Sequence, residues 1–251
     1  MFNYPIPFFL LSILVLWLSA RIGAFVRRQH PLSDDDREDF GFVQAATLTL
    51  LGLIIGFSFS MAIGRYDLRR NYEEAEANAI GTEFIRAGLL PPSDAVRVRA
   101  LLTKYLGLRI SFFQITDRSE RHQIDNDTDK LQADMWTAVQ TPALAQPTPV
   151  SALAVAGMND VLNSQGYTQA ALWNRIPTAA WSLMIAIAIC SNLLVGYGGR
   201  SNRVKSSILI VLPFFVSITF LLISDIDSPR RGLIHVPPQN LLSLSRSLTR
   251  Q

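Results

Sequence analysis

Residues 41–64 read GFVQAATLTLLGLIIGFSFSMAIG, and no position in this stretch carries a charged side chain. A transmembrane helix needs about 20 predominantly apolar residues, so the stretch is long enough to cross a bilayer. Uncharged stretches of similar length lie at residues 1–20, 176–199 and 206–224. The sequence therefore predicts an all-α membrane protein with four transmembrane helices.

The charged residues are concentrated between the second and third of these stretches. Only 17% of the 251 residues are charged, whereas a soluble domain carries about 25%. Residues 65–175 nevertheless contain 12 Lys or Arg and 13 Asp or Glu, a balance typical of a solvated surface. The net charge of +3 is small, so nucleic acid is not an expected partner.

This distribution predicts four segments along the chain. Residues 1–64 form a first transmembrane hairpin, residues 65–175 a helical extramembrane insertion, residues 176–224 a second transmembrane hairpin, and residues 225–251 a C-terminal tail. An uncharged stretch at residues 141–159 is rejected as a span because three prolines would leave backbone groups unpaired in lipid.

Helix boundaries in the insertion follow from prolines and capping residues. The second span is expected to continue as a helix until shortly before Pro91 and Pro92. Ser93 or Asp94 is predicted to cap the next helix, and Asp125 or Asp127 to open the one after it.

Two short loops between the spans contain Lys or Arg residues, at Arg27, Arg28 and Arg37 and at Arg200, Arg203 and Lys205. The positive-inside rule then favours cytoplasmic loops and a periplasmic position for residues 65–175. Arginines also flank the spans on the opposite side, so the bias is weak.

Small residues recur every four positions in the second span, at Gly52, Gly56, Ser60 and Gly64. They form one stripe along a helix, and such stripes let two helix backbones approach closely in lipid. The contact is either packing within one subunit or a contact between subunits around an axis.

Another face of the same helix carries Thr49, Leu53 and Phe57. A narrow ring of apolar side chains can gate a pore by dewetting. The same spacing is equally typical of side chains that face lipid or a core, so spacing alone does not choose between these interpretations.

No pattern in the chain points to catalysis or to a bound cofactor. His30, His122 and His235 are far apart, and no HExxH motif or glycine-rich phosphate loop occurs. The single cysteine, Cys190, lies in an apolar run and has no partner for a disulfide. We therefore expect neither an enzyme, nor a metal site, nor a cofactor.

Several phrases carry a family resemblance. The run IGFSFSMAIGRY at residues 55–66 resembles the pore-lining helix of the bestrophin anion channels. The phrases YEEAEANAIGTEFIRAGLLP, GMNDVLNSQGYTQAALWNRIP and DIDSPRRG are similar to bacterial bestrophin-like membrane proteins. The chain is identified as a member of that family over nearly its full length.

The resemblance implies an oligomeric ion channel that passes small inorganic anions, with the second span lining the pore. The bestrophin neck would fall on Thr49, Leu53 and Phe57, where Thr49 departs from the usual apolar residue. The protein would be a multi-pass homo-oligomer in the lipid bilayer of the bacterial inner membrane. Bestrophin topology keeps the middle region cytoplasmic, which opposes the charge count of the short loops.

A calcium clasp is not expected in this chain, and one alternative function stays open. Calcium-gated bestrophins have a long acidic run after the fourth span, whereas this chain has only Asp225 and Asp227, too few for six to eight oxygen ligands. The alternative to a channel is a non-conducting membrane scaffold or sensor whose helical middle region binds a partner.

Overall fold

The computed structural model describes residues 5–33, 35–115, 117–199, 209–229 and 232–250. Within these ranges the chain forms helices and no strand, which confirms the predicted all-α class. A short 3₁₀ turn at Ala87–Leu89 follows the second helix. In chain order the helices are α1 (Pro5–Gln29), α2 (Asp36–Arg86), α3 (Pro92–Gln114), α4 (Arg118–Ala145), α5 (Pro149–Trp173), α6 (Thr178–Tyr197), α7 (Val211–Asp227) and α8 (Gln239–Leu248).

Helix α2 is continuous over 51 residues. Its first turn contains Asp36 and Asp39, whose charges interact favourably with the N-terminal end of the helix dipole. The helix ends at Arg86 and passes into the 3₁₀ turn ahead of Pro91 and Pro92, because proline disfavours the α conformation in the preceding residue. Continuation of the second span to this point agrees with the sequence prediction.

The predicted cap of α3 is wrong. Pro91 occupies the capping position and Pro92 the first helical position, and no side chain caps the helix. Proline at the first position needs no partner for a backbone N–H, since it has none. The helix therefore starts before Ser93 and Asp94 are reached.

The predicted start of α4 is also wrong. Asp117 accepts hydrogen bonds from two backbone N–H groups of the first turn, at 2.7 and 3.2 Å. The helix therefore begins at Arg118 and passes through Asp125 and Asp127 without interruption.

A helix boundary interrupts the uncharged stretch at residues 141–159. Helix α4 ends at Ala145, and Thr148 caps α5. The backbone N–H of Ser151 donates to Thr148 Oγ1 at 3.0 Å, and the N–H of Thr148 donates to Ser151 Oγ at 3.0 Å. This reciprocal capping box separates the two helices, so no single helix spans the stretch.

Three segments of the described chain are long and apolar enough to cross a membrane: Ile6–Gln29, Asp36–Leu89 and Pro149–Tyr197. The last segment includes α6, which corresponds to the third predicted span. The predicted fourth span begins at Ser206, and residues 206–208 lie outside the described residues. Four spans arranged as two hairpins therefore stay a prediction.

Residues 1–65 and 175–235 contribute to one compact unit, called the first unit. Helix α1 packs there against α6 and α7. The rings of Phe8, Trp181 and Phe220, one from each helix, lie with their centroids 5.6 to 6.4 Å apart. Aromatic contacts of this kind join the three helices near the start of α1.

Glycines bring α1 and α6 into backbone contact further along the same pair. A β-carbon added at Gly23 would overlap the carbonyl oxygen of Leu193, and one added at Gly196 would overlap that of Ala20. This is the geometry that small residues permit between apolar helices. Phe8 therefore lies beside the start of α6 and Gly23 beside its end, which makes α1 and α6 parallel.

Residues 66–174 and 236–251 contribute to the second unit. Its core is formed by apolar side chains from the C-terminal part of α2 and from α3, α4, α5 and α8. The fully buried members with large side chains include Ile80, Leu102, Leu106, Met135 and Met158.

Replacing Gly23 by Ala is expected to destabilise the first unit by about 1–3 kcal/mol, because the new methyl group forces the α1 and α6 backbones apart. Thermal unfolding of the detergent-solubilised protein measures the effect. Gly41→Ala is the control, since nothing described lies within 4 Å of a β-carbon there. Equal melting temperatures for the two variants would contradict the close contact.

Candidate functional site

The face of α2 that carries Thr49, Leu53 and Phe57 is exposed in the single chain. Leu53 is 51% exposed and Phe57 is 64% exposed. On the other side of the helix, Leu51 and Ala62 are buried. The structure thus places the three neck candidates in one exposed row, and it leaves their role as a pore lining a prediction.

Thr49 is the polar member of this row, and its hydroxyl is occupied within the helix. Thr49 Oγ1 donates to the carbonyl oxygen of Ala45 at 2.9 Å. Bonds of this type, from a threonine to the carbonyl four residues earlier, are common in helices. The hydroxyl therefore needs no partner outside α2.

The stripe of small residues is exposed as well. Nothing described lies within 4 Å of a β-carbon added at Gly52, Gly56 or Gly64, and Ser60 is also exposed. The close glycine contact inside the chain is instead made by Gly23 and Gly196. Of the two interpretations of this stripe, a contact between subunits is the one that its exposure leaves room for, and it stays a prediction.

Three glutamates of α2, namely Glu73, Glu76 and Glu83, are buried in the second unit. They were not singled out from the sequence. Their spacing of three and seven residues, with Ile80 between them, places all four side chains on one helix face. In the sequence, the only indication that this face is buried is that the apolar residue Ile80 lies in line with the three glutamates.

Glu76 forms a buried ion pair with Arg109 of α3. The Arg109 Nε donates to Glu76 Oε1 and the Nη2 donates to Oε2 at 3.3 Å, a two-point contact between fully buried side chains. Thr168 of α5 donates its hydroxyl to Glu76 Oε2 at 2.8 Å. The carboxylate thus links α2, α3 and α5.

The groups around Arg109 favour the charged form of its guanidinium. Burial by itself lowers the pKa of Arg109, but the neighbouring carboxylate of Glu76 raises it above its ordinary value. The guanidinium also lies over the ring of Phe112, with its central carbon 4.2 Å from the ring centroid, which favours a cation.

Glu73 fixes the start of α8. Its Oε1 accepts hydrogen bonds from the backbone N–H groups of Asn240 and Leu241 at 2.9 and 3.0 Å, and its Oε2 accepts one from the Asn240 side chain at 2.6 Å. A carboxylate at a helix N-terminus satisfies free N–H groups and is favoured by the dipole. Part of the predicted C-terminal tail is therefore a docked helix.

Asp225 and Asp227 are engaged by the chain itself. Asp225 accepts hydrogen bonds from the backbone N–H groups of Leu233 and Ile234, both at 2.8 Å. Asp227 accepts one from the N–H of Ile176 at 3.1 Å. Asp225 therefore positions the segment that follows α7, and Asp227 positions the residues that precede α6.

Replacing Glu76 by Gln is expected to destabilise the second unit by about 3–5 kcal/mol, because Arg109 would remain charged and buried without its counter-ion. Denaturant unfolding of the full chain measures this loss. Asp127→Asn is the control, since the contacts of Asp127 with Lys130 and with the Gln123 amide are exposed and their loss should change stability by less than about 1 kcal/mol. Similar effects of the two changes would contradict the importance of the buried pair.

Comparison with known proteins identifies the fold and the family. The family model of the bestrophin-like domain matches residues 7–241 of the chain. A bacterial bestrophin homolog from Klebsiella pneumoniae superposes with a TM-score of 0.69 at 13% identity, covering 98% of each chain. A single-substitution variant of a Klebsiella pneumoniae bestrophin homolog gives a TM-score of 0.66 at 15% identity and covers 96% of this chain and 98% of that one.

No curated protein matches the chain by sequence. At these identities the structural likeness establishes the fold, whereas the match of the domain model extends over almost the whole chain. On that evidence the chain belongs to the bestrophin-like family.

Proposed function

We propose that the protein is an oligomeric bestrophin-like ion channel of the bacterial inner membrane, that it passes small inorganic anions, and that α2 lines its pore. The observation that carries this proposal is the exposed apolar row on α2, with Leu53 and Phe57 uncovered in a chain of bestrophin-like fold. In a ring of subunits such a row is available to face a common axis.

The parallel course of α1 and α6 supports a four-span topology. If both helices cross the membrane in the same direction, the chain between them crosses an odd number of times. A single crossing by the uncharged part of α2 meets this condition, and residues 65–175 then lie outside the bilayer. The fourth crossing is assigned to residues 206–224, which include most of α7.

The side chains on the proposed neck favour a dry constriction. A ring of leucine and phenylalanine side chains resists wetting, because water in a narrow apolar ring loses hydrogen bonds. Phe57 is the bulkiest member of the row and is assigned to the narrowest position.

Positive charge beyond the C-terminal end of the α2 span and in the loop before the fourth span favours anions over cations. Arg70 is exposed on α2 beyond the uncharged stretch. In the sequence, the loop before the fourth span carries Arg200, Arg203 and Lys205 without an acidic residue. Clusters of one sign raise the local concentration of counter-ions at a pore mouth.

Replacing both Leu53 and Phe57 by Ala is expected to raise chloride flux severalfold, because a wider ring with smaller side chains admits water. Chloride efflux from liposomes containing the purified protein measures the change. Thr49→Ala is the matched control on the same row and should leave the flux nearly unchanged. Absence of ion flux in the wild type and in the double variant would refute the channel and favour the scaffold.

Replacing Gly56 by Leu is expected to disrupt the oligomer, because a leucine side chain cannot fit where two helix backbones touch. Size-exclusion chromatography with light scattering reports the particle mass. Gly41→Leu makes the same change near the beginning of the helix, three turns before Gly52, and should leave the mass unaltered. A Gly56→Leu protein with the mass and melting temperature of the wild type would remove the stripe from the subunit contact.

A further inference from the structure

Glu83 is a buried carboxyl group without a hydrogen-bond partner. It lies on α2 in the second unit and its exposure is 0%. Neither of its side-chain oxygens has a hydrogen-bond partner among the described residues. In this respect Glu83 differs from the other two buried glutamates. Glu73 accepts hydrogen bonds from α8, and Glu76 accepts them from α3 and α5.

Helix α5 leaves just enough room for this carboxyl group. A β-carbon added at Gly157 would overlap Glu83 Oε2, and it would come within 2.9 Å of Arg86 Nη1. Glycine is therefore the residue at position 157 that allows the Glu83 side chain to lie between α2 and α5. The neighbouring residue Met158 belongs to the buried core of the unit.

The charged groups that face Glu83 come from the same two helices. Arg86 follows it by one turn of α2, and Asp160 lies on α5. Arg86 Nη1 is 3.8 Å from Asp160 Oδ2, so Asp160 shares the positive charge of Arg86. Arg99 of α3 is not among these groups, and it donates its Nε to the carbonyl oxygen of Phe84 at 3.1 Å.

These surroundings disfavour the charged form of the carboxyl group. Burial raises the pKa of Glu83 to about 8, with Arg86 opposing the rise and Asp160 adding to it. A neutral carboxylic acid without a hydrogen-bond partner costs less free energy in such a place than an unpaired carboxylate.

We propose that Glu83 is a proton-binding site of the second unit: it is held as the neutral acid between α2 and α5, and loss of its proton loosens their contact. Proton binding at Glu83 does not require the chain to conduct ions. Its ligand is the proton, and α2 carries both this site and the row proposed to line the pore.

The direction of the pH effect follows from the two states of the chain. In the unfolded chain the pKa of the glutamate returns to about 4.5, so that state releases the proton at lower pH than the folded state does. The stability due to Glu83 is full below about pH 4.5 and falls as the pH rises to about 8. Above that pH both states are deprotonated and the contribution no longer changes.

The first test compares the full-length wild type with Glu83→Gln in detergent, by thermal unfolding from about pH 5 to about pH 9. Relative to the wild type, the variant should gain melting temperature as the pH rises to about 8 and should gain no more above that pH. Glu74→Gln, an exposed change on the same helix, should follow the wild-type profile. Parallel profiles for the wild type and Glu83→Gln would overturn the proposal.

A second measurement does not depend on how well the variant folds. The infrared spectrum of the folded wild type should contain the C=O stretching band of a buried protonated carboxyl group at neutral pH, and the band should disappear as the pH passes about 8. Glu74→Gln should retain the band. In Asp160→Asn the band should disappear at lower pH, because the acidic neighbour is gone. A wild type without such a band would refute the proposal.

Discussion

Helix α2 keeps its backbone hydrogen bonds from Asp36 to Arg86 without a break, and the packing of the second unit depends on that continuity. In its uncharged part, the helix satisfies its own N–H and C=O groups, as any lipid-exposed backbone must. In its charged part, the same regular spacing directs Glu73, Glu76 and Glu83 to one face. A kink between residues 73 and 83 would separate them.

Each of these carboxyl groups meets a different partner. Glu73 binds backbone N–H groups of α8, so it sets where the C-terminal helix begins. Glu76 binds the guanidinium of Arg109 and the hydroxyl of Thr168, so it fixes α3 and α5 to α2. Glu83 lies beside Gly157 of α5, and its carboxyl oxygens have no hydrogen-bond partner among the described residues. Two of the groups therefore have structural roles, and the third is left to respond to pH.

The sequence predicts the extent of α2 well because the relevant signals are local. An uncharged run followed by charged residues without proline or paired glycines has no reason to leave the helix until Pro91. The caps of α3 and α4 were mispredicted for a local reason too. Pro92 already occupies the first position of α3 before Ser93 is reached, and Asp117 caps α4 before Asp125 is reached.

The close approach of the α1 and α6 backbones at Gly23 and Gly196 was not predicted from the sequence. Their importance arises only when α1 and α6 cross, and no short-range pattern records that pairing. A similar limit applies to α3, where Val96 and Val98 are both apolar. Val96 is 68% exposed, whereas Val98 is buried. Which face of an amphipathic helix is covered depends on its neighbours.

The same reasoning explains how a threonine fits into the proposed neck. A free hydroxyl facing a narrow pore would offer water a hydrogen-bond partner and weaken a dry constriction. Thr49 instead donates its hydroxyl to the carbonyl oxygen of Ala45. Threonine is branched at the β-carbon, so this bond turns the hydroxyl towards the backbone and leaves the methyl group to face outward. In a ring of subunits, the side chain at this position therefore presents mainly a methyl surface. Such a surface is closer to that of an apolar residue than the hydroxyl group of threonine would suggest.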